Sequence, residues 1–250
     1  EKKMKKRLLI LGMIFTMAVS SAGCGSSSSD NAGKADQSKQ TANVQDSQKD
    51  TSSSDKSDNK NDTSYKSADE ITMDDLMSHD ETPAEDFEFN DSADEIVIQK
   101  YVGKDPIVVI PDEIDGKKVV GFESAFTLNN NIVAVKIGNN VQEVENSAFS
   151  GCKQLKYVVM GDSVKTIGGR MFAQTNLQEL VLNDGLQKIG QDDSNNVLAP
   201  PSSNCGMDLK IPESVTELHV SEFNLIGKSG SYAEQYANEH ADAGVTFTAE

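Results

Sequence analysis

Residues 148–172 read AFSGCKQLKYVVMGDSVKTIGGRMF, and the Ala148-Phe149 pair that opens the stretch has its counterpart, Met171-Phe172, at the close. The spacing is 23 residues, and Ala125-Phe126 lies the same distance upstream. Between these pairs, Ile132-Val133-Ala134-Val135-Lys136-Ile137 aligns with Leu155-Lys156-Tyr157-Val158-Val159-Met160. Leu177-Gln178-Glu179-Leu180-Val181-Leu182 is a third copy, one residue early, and the pairs Val141/Val144, Val164/Ile167 and Leu186/Ile189 follow in phase. Each copy approximates L-x-x-V-x-I-x-x-x-V-x-x-I-x-x-x-A-F. Self-similarity at a fixed period of this size is the signature of stacked repeats.

Alternation in the V-x-I portion predicts a short strand with one face inward. One coil has too little core to fold alone; stacking turns equivalent positions into continuous ladders about 4.8 Å apart. The expected core is therefore Phe126, Val135, Ile137, Phe149, Val158, Met160, Phe172, Leu180 and Leu182, in columns such as Val135-Val158-Leu180 and Ile137-Met160-Leu182. Upstream, Phe87/Phe89, Ile96/Ile98 and Ile107 to Ile110 predict strands that cap the first edge. Gln191 to Asn204, polar and carrying Pro200-Pro201, breaks the rhythm as a loop, and the pattern resumes at Leu209-Lys210-Ile211-Pro212. Ser231 to Glu239 predicts a helix with Tyr232, Ala233, Tyr236 and Ala237 on one side, and Val245-Thr246-Phe247 a last strand. The fold class is mainly β: a solenoid of 23-residue coils with terminal caps and a short C-terminal helix.

The N-terminal third has a different character. Lys2 to Arg7 are basic, Leu8 to Val19 form an apolar run, and Ser20 to Gly23 are small. An apolar run of that length falls short of the ~20 residues of a membrane-spanning helix, and the order of charge, apolar core and small residues describes an export signal over residues 1–23. The 250-residue chain has a formal charge of -17 and is 36% hydrophobic. Of its acids, nineteen fall in residues 25–95, against six lysines there. With Val44 and Tyr65 as the large apolar residues between Gly25 and Ala68, that part has too little to bury to offset its ordering entropy. Residues 24–86 are expected to be a disordered acidic tether of Ser, Asp, Asn and Lys, and residues 87–250 the folded body. Ile71, Met73, Leu76 and Met77 suggest a turn or two of helix within the tether. Its acids lack the spaced Asp/Asn loop and closing Glu of a calcium site, and read as a solvated run.

Two resemblances follow from these residues. Ser21-Ala22-Gly23-Cys24 resembles the lipobox of bacterial lipoproteins, which implies cleavage before Cys24 and a diacylglyceryl group on its sulfur. The copies resemble leucine-rich repeats of the BspA type, an Ile-Pro turn followed by V-x-x-I-G-x-x-A-F-x-x-C-x-x-L. The matching residues are Ile211-Pro212, Ile167-Gly168, Ala148-Phe149, Gly151-Cys152 and Leu155, with Gly230 to Ala237 similar to the helix that closes such arrays. Gly161 and Asn183 stand where the pattern has Pro, and Met171 where it has Ala. This resemblance implies a protein displayed on the cell surface or secreted, some members of the family binding host matrix proteins or other bacteria.

No catalytic or metal pattern is present. The chain has three Cys and three His. Cys24 belongs to the anchor, Cys152 suits a small buried hydrophobe, and Cys205, two coils on, would sit about 10 Å away, beyond the reach of a disulfide. His79, His219 and His240 lack metal-ligand spacing, there is no G-x-S-x-G elbow, and no basic patch suits nucleic acid. The expectation is a non-enzymatic protein without metal or cofactor, exported and lipid-anchored outward on the membrane, at a surface of Gram-positive type. Its partner would be a protein on a host, a neighbouring cell or its own envelope, reached by adhesion or in a scaffold role. The expected binding face is the outward side of the strands, Lys136, Val159, Val181 and Lys210 with Tyr157 and Glu179 beside them; the 191–204 loop is the other candidate.

Overall fold

The computed structural model describes residues 65–92, 94–190 and 207–250. The signal segment 1–23, Cys24, the tether up to residue 64 and the interruption at 191–206, with Cys205, lie outside the described residues.

In chain order the elements are α1 (Met73–Ser78), a 3-10 turn at Ala84–Asp86, β1 (Phe87–Asp91), β2 (Glu95–Tyr101), β3 (Ile107–Val109), β4 (Glu113–Ile114) and β5 (Lys117–Phe122). The repeats contribute β6 (Ala134–Lys136), β7 (Glu143–Val144), β8 (Tyr157–Val159), β9 (Thr166–Ile167), β10 (Glu179–Val181) and β11 (Lys188–Ile189). The chain continues with β12 (Asp208–Lys210), β13 (Glu217–Leu218), β14 (Asn224–Gly227), α2 (Tyr232–Glu239), a 3-10 turn at Ala241–Ala243 and β15 (Thr246–Ala249).

Two parallel ladders run through the repeats. The first is ordered β10-β8-β6-β3 and the second β13-β11-β9-β7. Registers follow the sequence period: Val135 faces Val158 and Val158 faces Leu180, while Val144 faces Ile167 and Ile167 faces Ile189. The Ala-Phe side is joined coil to coil as well, by Phe149 N–H donating to Met171 O at 3.0 Å and Ser147 N–H to Gly169 O at 2.9 Å. Each coil therefore bonds its neighbour on three sides. The solenoid also begins one rung before the 23-residue copies, because β3 pairs with β6, Val108 opposite Val135. Its spacing from β6 is longer because a hairpin intervenes. Asp115 (φ 53) and Gly116 (φ 78) form the two-residue turn between β4 and β5, the Asp-Gly choice that such turns favour.

Caps close both ends. β1-β2-β5-β4 form a sheet in which β1 and β2 are antiparallel, putting Phe87, Ile96, Ile98 and Tyr101 over the first coil's interior. At the other end β12-β14-β15 form a parallel sheet, against which α2 buries Ala233, Tyr236 and Ala237. Tyr232, expected on the same side, is 37% exposed. The Tyr236 hydroxyl accepts from Val220 N–H at 3.0 Å and donates to Val220 O at 2.9 Å. Ser231 caps α2 by position without a side-chain cap bond.

Phenylalanines form the central column. Phe126 stacks on Phe149 at 5.1 Å between centroids and Phe149 on Phe172 at 5.8 Å, with Phe122 edge-on to Phe126. The predicted core residues are buried with one exception: Leu182 is half-buried. The cause is a break in the first ladder, in which β12 takes β14 as its neighbour instead of β10. Among the described residues no following rung covers the flank of β10.

The turn after the first-ladder strands explains one departure from the repeat pattern. A Cβ on Gly161 would lie 2.2 Å from Gly138 O, so the coils approach too closely there for Pro or any other side chain. Asn183, one coil on, instead donates its amide to Asp162 O and Val164 O at 3.1 and 3.0 Å.

The tether assignment needs correction at its C-terminal end. Residues 65–86 do not share the tether character read from composition: Ile71, Leu76 and Thr82 are buried. The apolar spacing and the Thr72–Asp75 capping box, Thr72 Oγ1 accepting from Asp75 N–H and Asp75 from Thr72 N–H, outweigh the surrounding acids.

Two measurements check this packing. Phe149→Ala removes the middle ring of the column and should cost about 3–5 kcal/mol, seen as a lower urea midpoint of the folded body. The Cys152 thiol, fully buried and donating to Phe126 O at 2.9 Å, is pushed up to about 12 by burial. It should resist alkylation at pH 8 in the native protein and react once the protein is unfolded, as peptide mass mapping would show.

Candidate functional site

Strand alternation divides the first ladder into two faces. Val108, Val135, Val158 and Leu180 point into the solenoid. Ile107, Val109, Ala134, Lys136, Tyr157, Val159, Glu179 and Val181 point outward. This outer face holds five of the six residues expected to bind a partner, and the structure treats them unequally.

Ile107, Val109, Val133, Ala134 and Val159 form a second apolar cluster with Ile71 and Leu76, with Ala68, Met73 and Tyr157 packed around it. Residues 65–82 therefore cross the outer face as a strap over β3, β6 and β8. Val159, expected to be exposed, is only 8% exposed beneath it. Tyr157 and Lys136 are half-buried. Lys156, beside Val133, is itself buried and donates its ammonium to Ala68 O at 2.8 Å and to Asp69 at 3.1 Å. The strap carries further polar contacts. Lys66 bonds Asp75 at 2.6 Å, which with the Thr72 contacts holds the Asp75 carboxyl down at about 2. His79 lies 3.4 Å from Asp105. At the base, Thr82 N–H donates to Val109 O and Thr82 Oγ1 accepts from Val109 N–H, both at 2.9 Å.

Beyond the strap, Glu179 and Val181 on β10 are exposed, Val181 by 41%. Gln178 meets the Tyr157 hydroxyl at 3.3 Å. Lys210 is exposed but falls on β12, in the terminal sheet, where it pairs with Glu250 at 2.6 Å. The six residues thus separate into a covered group (Lys136, Tyr157, Val159), an open pair (Glu179, Val181) and Lys210 on another sheet. Composition hid the strap. Its signals were the Ile71 and Leu76 anchors, the Thr72–Asp75 box, and a β8 that reads apolar on both faces.

Among the described residues, no group of three or more His, Cys, Asp or Glu could hold a metal ion, and no helix is long and apolar enough to cross a membrane. The acids of the strap take up Lys66 and the α1 N-terminus rather than converging on one point.

Comparison with known proteins agrees with this architecture. Residues 122–197 match the family model for the BspA type leucine rich repeat region, in six copies. A crystal structure of a leucine-rich-repeat protein from T. pallidum is similar over 59% of this chain and 71% of that one, with 29% identity and a TM-score of 0.50. A leucine-rich-repeat protein from Bacteroides ovatus is similar over 57% of this chain and 42% of that one, with 19% identity and a TM-score of 0.42. Among curated proteins none matches the sequence. With their 23-residue period, three-sided coils and parallel ladders, residues 122–197 are a leucine-rich-repeat region similar to the BspA type, set within a mainly β solenoid.

Proposed function

We propose that this chain is a lipid-anchored surface protein that binds a protein partner through the open part of the first ladder's outer face. The observation that carries the reading is β10. It presents Val181, 41% exposed, beside exposed Glu179, on the one strand of the first ladder that the strap leaves uncovered among the described residues. An apolar residue within a polar rim is the arrangement of an interface centre. Leucine-rich-repeat solenoids are extended scaffolds suited to this use, and the charge of -17 with no basic patch argues for protein over nucleic acid. The residues before the described body support display: a basic, apolar and small-residue leader ends in Gly23-Cys24, with Cys24 as the acylated residue. Two or more acyl chains give durable anchoring where one does not. In this reading the protein is membrane-anchored and outward-facing, at a surface of Gram-positive type. The partner class is a protein of a host, of a neighbouring cell or of the same envelope.

Two experiments test the halves of this reading. The protein should bind saturably to immobilised matrix proteins or to proteins of its own envelope, and Val181→Lys or Glu179→Lys should weaken binding at least tenfold, about 1.4 kcal/mol, with an unchanged circular dichroism spectrum. Equal binding by both variants would remove β10 from the interface. Cys24→Ala should release the protein from membranes into the medium; unchanged retention would sink the anchor.

A further inference from the structure

The covered half of the outer face is the more apolar half. β3 is buried at all three positions, and β8 carries Tyr157 and Val159 outward, whereas β10 and β12 alternate exposed, buried, exposed. Strands apolar on both faces belong to sheets covered on both sides. Here the second cover is only the strap, with its six-residue helix. A surface of adjoining Ile107, Val109, Ala134 and Val159 would otherwise be an apolar patch that monomers rarely leave open.

The strap is held differently from the coils beneath it. Coils are joined by backbone hydrogen bonds on three sides. Between residues 65–81 and the solenoid, by contrast, the contacts among the described residues are side-chain ones: the buried Ile71 and Leu76, Lys156 with Ala68 and Asp69, and His79 with Asp105. Backbone pairing with a ladder strand begins at Thr82, with Val109. A segment with few buried anchors and no backbone pairing opens at lower free energy than the coils beneath it. When it lifts, Lys156 loses both of its acceptors, so whatever takes its place has to bring a carboxylate or carbonyl as well as apolar side chains.

We propose that the strap is an autoinhibitory occupant of the outer face, displaced by an amphipathic segment of the protein partner that carries the same chemistry. That chemistry is an acidic residue two positions before a first apolar anchor, with a second anchor five positions later, as Asp69, Ile71 and Leu76 have here. This rests on the reading of the outer face as the binding face. Partner contact at β10, next to the strap, would place the incoming segment beside the element it replaces.

The test uses the full chain with Ile71→Asp and Leu76→Asp together, which releases the strap and leaves the ladder untouched. A fluorescent peptide of sequence 65–82 should bind this variant at least tenfold more tightly than the unmodified chain, and added Val159→Asp should abolish binding. Hydrogen exchange should be faster in residues 66–78 and unchanged in β6 and β8. Self-association of the variant that the peptide dissolves supports the same face; self-association that the peptide leaves intact overturns the proposal. So does a released, folded variant that binds no peptide, or equal binding by variant and unmodified chain. If the double variant loses its fold, Lys156→Met decides alone: exchange in residues 66–78 should rise at least tenfold, and unchanged exchange overturns the latch. None of these measurements needs the natural partner, so loss of the β10 reading and loss of the strap are separate results.

Discussion

Each inward side chain of a parallel solenoid meets its own counterpart one coil away, since in-register strands about 4.8 Å apart leave it no other neighbour along the stack. The rest of the structure depends on that constraint. It forces like to sit on like, so Val135, Val158 and Leu180 share a column and Phe126, Phe149 and Phe172 share another. It also forces the corners to repeat. Ser124, Ser147 and Arg170 have φ values of 51, 59 and 55, and Leu128, Gly151 and Gln174 values of 60, 78 and 60. A left-handed backbone costs a non-glycine residue about 1–2 kcal/mol. The corners persist because Leu128, Ser147 and Gly151 each donate the amide to a carbonyl of the next coil, and a straightened corner would orphan those groups. Gly151 takes the same corner at φ 78, where glycine is free of that cost.

The same constraint explains what happens where a rung is missing. The second ladder runs on from β11 to β13, Ile189 opposite Leu218, while the first stops at β10. Leu177 and Leu180 are then 8% exposed, where Leu155 and Val158 of the previous coil are fully buried, and Leu182 is half-buried. A column ends where the next equivalent residue is lacking. The antiparallel β1–β2 hairpin at the start, with Phe87 and Tyr101 at 5.6 Å leading onto Phe126, and α2 at the far end meet the same need with other geometry.

How far the sequence disclosed this follows from where periodicity operates. Inward residues recur because each has the same neighbours, so the coils, the registers and the Phe column were legible from three copies. The first rung reads as part of a cap, because the β4–β5 hairpin stretches its spacing and moves Ile107-Val108-Val109 out of phase. Outward residues have no such periodic neighbour. Val159 and Val181 occupy equivalent places, Lys136 ↔ Val159 and Val159 ↔ Val181 in the ladder registers, yet one is buried and the other open. Two things distinguish them: β8 lies between two ladder neighbours where β10 is at the ladder's edge, and a segment about 85 residues earlier in the chain covers Val159. That segment lies among acids that composition assigns to a tether. Two buried side chains and a capping box suffice to order it, too small a signal for an average over twenty residues.

Placement of the strap also narrows the outer surface by chemistry. On the terminal sheet, Asn224 donates to Asp208 at 2.7 Å and accepts from Thr246 and Thr248, each at 3.1 Å, and Lys210 is engaged by Glu250. Polar groups on β12, β14 and β15 thus satisfy one another, and a partner docking there would have to compete with bonds already made. Under the strap the apolar residues are likewise already matched. β10 belongs to neither of these self-satisfied regions, with a β-branched side chain exposed to 41% and no covering element among the described residues. Burial of Val181 by a partner would release water from apolar surface without breaking an internal contact, which is why recognition centred on β10 is the least opposed and recognition beneath the strap requires an exchange.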